Sequence, residues 1–170
     1  VVNRDFARLA NLREELGIED TTQYEIYPDM DNSGVQSMLL QSTEGSPISI
    51  DIETQGSLDP TDGDIYCVAG TTRTTKGYSF LPLDSRVPQM LQAPKIIGQN
   101  FVLYDQWWFK HKGYEIPDTT RIYDTRYLGK LLNPDTPNDL VYLSGEFANP
   151  PIRGYWKTKQ EYKTNKEGIS

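Results

Sequence analysis

Apolar and polar residues alternate most regularly in the stretch Ser46-Pro-Ile-Ser-Ile-Asp-Ile-Glu-Thr-Gln-Gly56, where Ile48, Ile50 and Ile52 are separated by Ser49, Asp51 and Glu53. A period of two is that of a strand with one apolar face. Ile65-Tyr-Cys-Val-Ala69 and Tyr78-Ser-Phe-Leu81 follow, each reached through Pro/Asp/Gly or Thr/Lys/Gly turn chemistry, so the three segments read as an antiparallel meander. Arg86 to Gln92 predicts a short helix with a proline in its first turn, and Lys95-Ile-Ile-Gly98 a brief buried strand. Helices are expected from Phe101 to about Lys112 and from Tyr123 to Leu132, with Ile116 to Arg121 as the loop between them. The second carries a stripe through Tyr123, Tyr127, Leu128, Leu131 and Leu132 and ends at Asn133-Pro134. Meander, helix, strand, helix, helix is an α/β layout built on a mixed sheet.

Upstream of the first strand, Phe6, Leu9, Ala10, Arg13 and Leu16 line up on one face of a helix that Gly17 stops. Residues 18–46 are acidic and rich in turn formers apart from Met38-Leu-Leu40, and read as an irregular connector. The expected organisation is therefore an N-terminal helix and extension over 1–45, a main domain over 46–152, and a polar tail over 153–170. Between Arg153 and Lys166 that tail carries five basic residues and one acidic, a solvated composition. A chain of 170 residues suits one ordinary domain. No apolar run approaches the ~20 residues of a membrane span, and no signal-peptide pattern opens the chain. The start at Val1 and the polar stop at Ser170 suggest a piece of something longer.

Charge and rare residues narrow the chemistry. The formal net charge is −7, and residues 1–70 hold three basic against fourteen acidic side chains. Such a balance disfavours a protein that coats nucleic acid, although an enzyme that takes only a strand end needs no broad basic face. One histidine, His111, excludes a multi-His metal site and most His-based triads. The single cysteine, Cys67, lies in an apolar run, reads as a buried thiol and has no internal disulfide partner. Carboxylates remain as the available metal ligands. Asp51 and Glu53 fall on the same face of the first strand, roughly 6–7 Å apart along it. Like charges so placed need compensation, which open water or a divalent cation would supply. Asp105 stands among Tyr104, Trp107, Trp108 and Phe109, in the second turn of a helix capped by Asn100. A free carboxylate there would be expensive, and a metal or metal-held water would relieve it. Asp124 reads as the cap of its own helix, and the Asp62/Asp64 and Asp29/Asp31 pairs as ordinary turn residues.

Ile50-Asp-Ile-Glu-Thr54, followed by the asparagine, spacer, tyrosine and aspartate of Asn100 to Asp105, resembles the first two motifs of the DnaQ-like 3′–5′ exonucleases, the ribonuclease-H-like "DEDD" nucleases. Ile122-Tyr-Asp-Thr125 with Leu131-Leu-Asn-Pro134 resembles the helix after the second motif, and Asn138-Asp-Leu-Val-Tyr-Leu143 continues the likeness. Tyr155-Trp-Lys157 is similar to a tag in the proofreading domains of phage-type, family A-like DNA polymerases. The resemblance covers roughly residues 46–160. It implies a ribonuclease-H-like mixed sheet flanked by helices and a metal-dependent exonuclease that releases nucleotides from a single-stranded DNA 3′ end, with RNA as an alternative substrate. It also implies a covalently linked polymerase domain and a cytoplasmic setting in a bacterium or phage-infected host. Two divalent ions, Mg²⁺ or Mn²⁺, would be held by Asp51, Glu53 and Asp105. Thr54, Gln55 and Asn100 would meet the nucleotide, and Phe101, Tyr104 and Trp108 would offer rings for stacking.

The family also needs a further aspartate, with a tyrosine or histidine four residues before it that positions the attacking water. Only Tyr27/Asp31 and Tyr114/Asp118 have that spacing. The first precedes the opening motif, and the second lies nine residues after Asp105, too early for a C-terminal helix. The expectation is thus an exonuclease domain without its last motif, inactive or nearly so as it stands. Its rivals are a degenerate binding or scaffold module of the same fold and a stand-alone RNA-trimming exonuclease.

Overall fold

A computed structural model describes residues 32–74 and 76–148. The N-terminal helix, the Tyr27/Asp31 pair, the Tyr-Trp-Lys tag and the basic tail lie outside the described residues. Five strands form one mixed sheet in the order β3-β2-β1-β4-β5: β1 (Ile48–Gln55), β2 (Asp64–Thr71), β3 (Tyr78–Phe80), β4 (Lys95–Gly98) and β5 (Arg121–Asp124). β1, β2 and β3 pair antiparallel, as the short turns between them require. β4 runs parallel to β1, and β5 parallel to β4. The helices are α1 (Asn32–Thr43), α2 (Arg86–Leu91), α3 (Asp105–His111), α4 (Thr125–Leu132) and α5 (Leu140–Phe147). The α/β class and mixed sheet read from the sequence are those observed. Among the described residues, no helix is long and apolar enough to cross a membrane.

The period-two pattern of β1 is what seats the sheet. Ile48, Ile50 and Ile52 are buried, while Ser49, Asp51 and Glu53 are exposed. The isoleucines pack with Ile65, Val68, Phe80 and Ile96 of the neighbouring strands and with Met90, Leu91, Phe101, Trp108 and Phe109. Beyond Glu53 the register with β2 shifts, since Glu53 faces Cys67 but Thr54 faces Ile65. Tyr66 is the extra residue of this bulge and stands exposed. Cys67 is half-buried rather than buried, because its position opposite Glu53 places it on the polar face.

Three expectations fail locally. Residues 32–43 are not irregular: Val35 and Met38, three apart, are buried in the core as one face of α1. Gln41 accepts from Thr72 Oγ1 at 2.8 Å, which ties this helix to the end of β2. Arg121 to Asp124 form a strand, so the helix begins at Thr125 and not at Tyr123. The apolar stripe of this helix lies largely outside the core. Tyr127, Leu128, Leu131 and Leu132 are exposed, and the buried residue of α4 is Gly129, where a Cβ would come within 2.8 Å of Leu143 on α5. Finally, Asn100 is not the cap of α3.

Candidate functional site

The chain leaves β4 through a turn fixed by the close approach of Gly98 and Phe101 and by side chains from β5 and α4. A Cβ on Gly98 would sit 2.6 Å from the Cβ of Phe101, so Gly98 lets Phe101 fold back into the core. Asn100 has φ 61, a left-handed conformation that asparagine tolerates better than most residues. Its carbonyl accepts from Leu103 and Tyr104 N–H, and its side-chain oxygen from Arg126 at 2.7 Å. Residues 101–104 form turns, and α3 begins at Asp105 instead of Phe101. Asp105 therefore opens the helix rather than sitting in its second turn. That position favours an acid through the helix dipole and the Asp105 N–H, which its own carboxylate accepts.

From there Asp105 reaches β1. Parallel pairing between β1 and β4 covers only Ile48 and Ser49, so β1 runs on past its neighbour. The Ile52 N–H in this overhang is donated to Asp105 Oδ1 at 3.1 Å. Asp105 is 3% exposed. Burial first, and then the charge of Asp51, push its carboxyl up to about 7, against the backbone N–H groups that favour the anion. Asp51 sits on the exposed face of β1, where loss of hydration, then the Glu53 charge, raises its pKa, while the Ile52 amide lowers it. The Cys67 thiol, across from Glu53, is pushed up by desolvation first and that carboxylate second.

Asp51 and Asp105 are thus brought together at the free end of β1, and Glu53 shares the strand face of Asp51. This crowding of acids is the donor chemistry of a divalent cation site, because hard ions take carboxylate oxygen and offset the mutual repulsion. The set is not closed. Among the described residues, no three His, Cys, Asp or Glu side chains are placed so that they could hold a metal ion. The Tyr114/Asp118 pair does not complete it. Tyr114 gives its hydroxyl proton to the Pro82 carbonyl, and both residues line a separate cleft of about 510 Å³ with Gln92, Gln106 and Lys110.

The residues expected to meet a nucleotide are divided. Thr54 Oγ1 and Tyr104 Oη are 2.8 Å apart, which joins the end of β1 to the turn before α3. Gln55 is exposed at the end of β1. Phe101 and Trp108 are fully buried, so their rings belong to the core and offer no stacking face. The exposed ring on α3 is instead Trp107, which the helical spacing of the aromatics did not single out. Asp124 caps α4 by accepting from Arg126 N–H, as expected, but it does more. It also accepts from Asn100 N–H at 3.0 Å and Val102 N–H at 3.0 Å.

No protein-family model and no curated protein matches the chain. Solved structures do. Brucella melitensis NrnC bound to pGG aligns with a TM-score of 0.56 at 18% identity, over 66% of this chain and 57% of that one. The same protein with bound Mg²⁺ aligns with a TM-score of 0.56 over 58% of its length. Escherichia coli RNase D, an exoribonuclease involved in structured RNA processing, aligns with a TM-score of 0.54 at 14% identity, over 76% of this chain and 34% of that one. The chain spans less than two thirds of the length of either protein. Its mixed sheet flanked by helices is the ribonuclease-H-like fold that these two proteins share.

Proposed function

We propose that the chain carries the active-centre half of a metal-dependent 3′–5′ exonuclease, and that its substrate is the 3′ end of RNA or of a short oligonucleotide. The observation that supports this most is the Asp105 carboxylate held against β1 by the Ile52 amide, beside Asp51. The substrate class follows the structures it resembles, one bound to pGG and one an exoribonuclease. Neither is described as part of a polymerase, so the stand-alone RNA-trimming reading is favoured over a proofreading domain. In this reading Asp51 and Asp105 hold the first cation and Glu53 contributes from the same strand face. Divalent cations bound there would activate the attacking water and stabilise the leaving 3′ oxygen. Thr54, fixed by Tyr104, and Gln55 orient the terminal nucleotide, and the exposed Trp107 replaces Trp108 as the stacking ring.

Among the described residues no further aspartate and no group that would position the water joins this set. Loss of such a group costs about 10²–10⁴ in rate. The expected result with 3′-labelled RNA and Mn²⁺ is therefore slow release of mononucleotides that disappears in Asp51→Ala, together with Mn²⁺ binding that the same substitution removes. Brisk release would refute the incomplete ligand set. Mn²⁺ binding that Asp51→Ala leaves unchanged in calorimetry would refute the site itself.

A further inference from the structure

We propose that Asp124 is a positioning residue for Asp105: it fixes the turn through which Asp105 reaches β1. The inference rests on the nuclease reading only for its functional consequence, since the geometry stands by itself. Asp124 ends β5 and is 4% exposed. Its Oδ1 accepts from Asn100 N–H at 3.0 Å and from Arg126 N–H at 2.9 Å, and its Oδ2 from Val102 N–H at 3.0 Å. One carboxylate thus grips the amides on both sides of Phe101 while capping α4. The turn it grips continues directly into α3, through Gln106 N–H to the Phe101 carbonyl at 2.8 Å and Trp108 N–H to the Tyr104 carbonyl at 3.0 Å. Arg126, the residue whose amide is capped, adds a strut from its guanidinium to Asn100 Oδ1.

A helix cap alone does not account for this arrangement. Capping α4 needs one acceptor for Arg126 N–H, and asparagine or serine serves as well as aspartate. Holding amides 22 and 24 residues upstream needs both oxygens, which only the carboxylate has. In Asp124→Asn, one side of the group becomes an NH₂ that can face Val102 N–H only as donor against donor. The cap survives that change and the clamp does not. Asp124→Ser likewise keeps a cap oxygen and gives up the reach to Val102.

The test follows backbone amides in ¹⁵N-labelled wild type, Asp124→Asn, Asp124→Ser and Asp105→Ala, together with Mn²⁺ affinity. The Ile52 amide is the reporter, because its proton is donated to Asp105. In both Asp124 variants the Arg126 amide and the helix content should persist, the Val102 amide should lose its exchange protection, and the Ile52 resonance should move toward its position in Asp105→Ala. Mn²⁺ affinity should fall about tenfold or more, the usual effect of losing a partner that orients a metal ligand. A freed Val102 amide with an unmoved Ile52 resonance and unchanged Mn²⁺ affinity would overturn the proposal. If wild type shows no Asp51-dependent Mn²⁺ binding, the nuclease reading fails, while the Ile52 resonance still decides whether Asp124 positions Asp105.

Discussion

Asp105 and Asp124 stand at the two ends of one short stretch of structure, and solvent reaches them to nearly the same small extent, 3% and 4%. Their surroundings are opposite. Asp124 spends its oxygens on three backbone amides from two segments of chain. Asp105 has the Ile52 amide and its own backbone amide, and faces a second acid, Asp51. Burial by itself does not make a carboxylate costly. What decides is whether fixed N–H groups replace the lost water or another negative charge stands in their place. The first arrangement is architecture, and the second is the electrostatic condition that the proposed cation would relieve.

The contrast is broken most severely by Asp124→Ala. Three amides lose their acceptor at once, and at about 1–3 kcal/mol for a buried unsatisfied group the expected loss is about 3–5 kcal/mol. Thermal denaturation should report a melting temperature lower by roughly 10 °C or more.

Asp105→Asn should act in the opposite direction, by an amount that grows from about pH 4 to about pH 7. The folded-state pKa of Asp105 is raised from 3.8 to about 7, so the folded form binds the proton more tightly than the unfolded chain. Stability therefore falls as pH rises from about 4 to about 7 and stays low above that. At roughly 1.4 kcal/mol per unit the ceiling is about 4 kcal/mol. The variant should melt several degrees higher than wild type at pH 8 and with it at pH 4, where the wild-type carboxyl is neutral in the folded state. A melting temperature that falls equally at both pH values would mean that Asp105 is a satisfied acid like Asp124.

A third acid supplies the small end of the scale. Asp84 pairs with Arg86, with N–O distances of 2.5–2.7 Å, and that guanidinium holds its carboxyl down to about 2. A depressed pKa gives stability that is present above 3.8 and is lost as pH falls toward 2. The pair lies near the surface, so Asp84→Asn should cost no more than about 1 kcal/mol at pH 7. In melts below pH 2 the variant and wild type should coincide.

These acids also show how far the sequence could be read. β1 was legible because one face is buried and the other is not, and Asp51 and Glu53 were legible with it. Asp105 stood out because a carboxylate among aromatic residues needs a reason. The route by which Asp105 reaches β1 was hidden, since it depends on contacts between segments 22 and 24 residues apart. Asn100 looked like a helix cap from its neighbours alone, and the grip of Asp124 with the close approach of Gly98 and Phe101 overrides that local preference. Tyr123 and Asp124 read as the start of α4 because Tyr123, Tyr127 and Leu128 fit a helical spacing, whereas pairing of Ile122 beside Ile96 and of Tyr123 beside Ile97 makes Arg121–Asp124 a strand. The signal that marks the boundary is Asp124-Thr125, a capping residue directly before the helix. Periodicity placed Trp108 and Trp107 on one aromatic helix without saying which ring faced the core. For α1, Val35 and Met38 carry the helical spacing, but Asn32-Ser-Gly34 at its start read as a turn.

The proposed cation site rests on two acids, Asp51 and Asp105, whose charges oppose each other at the free end of β1. Its most direct test is the titration of the Asp105 side-chain carboxyl by ¹³C NMR, with and without Mg²⁺. The predicted midpoint is near pH 7 without the ion and distinctly lower with it. A midpoint near the ordinary 3.8, or one near 7 that Mg²⁺ does not move, would contradict the account.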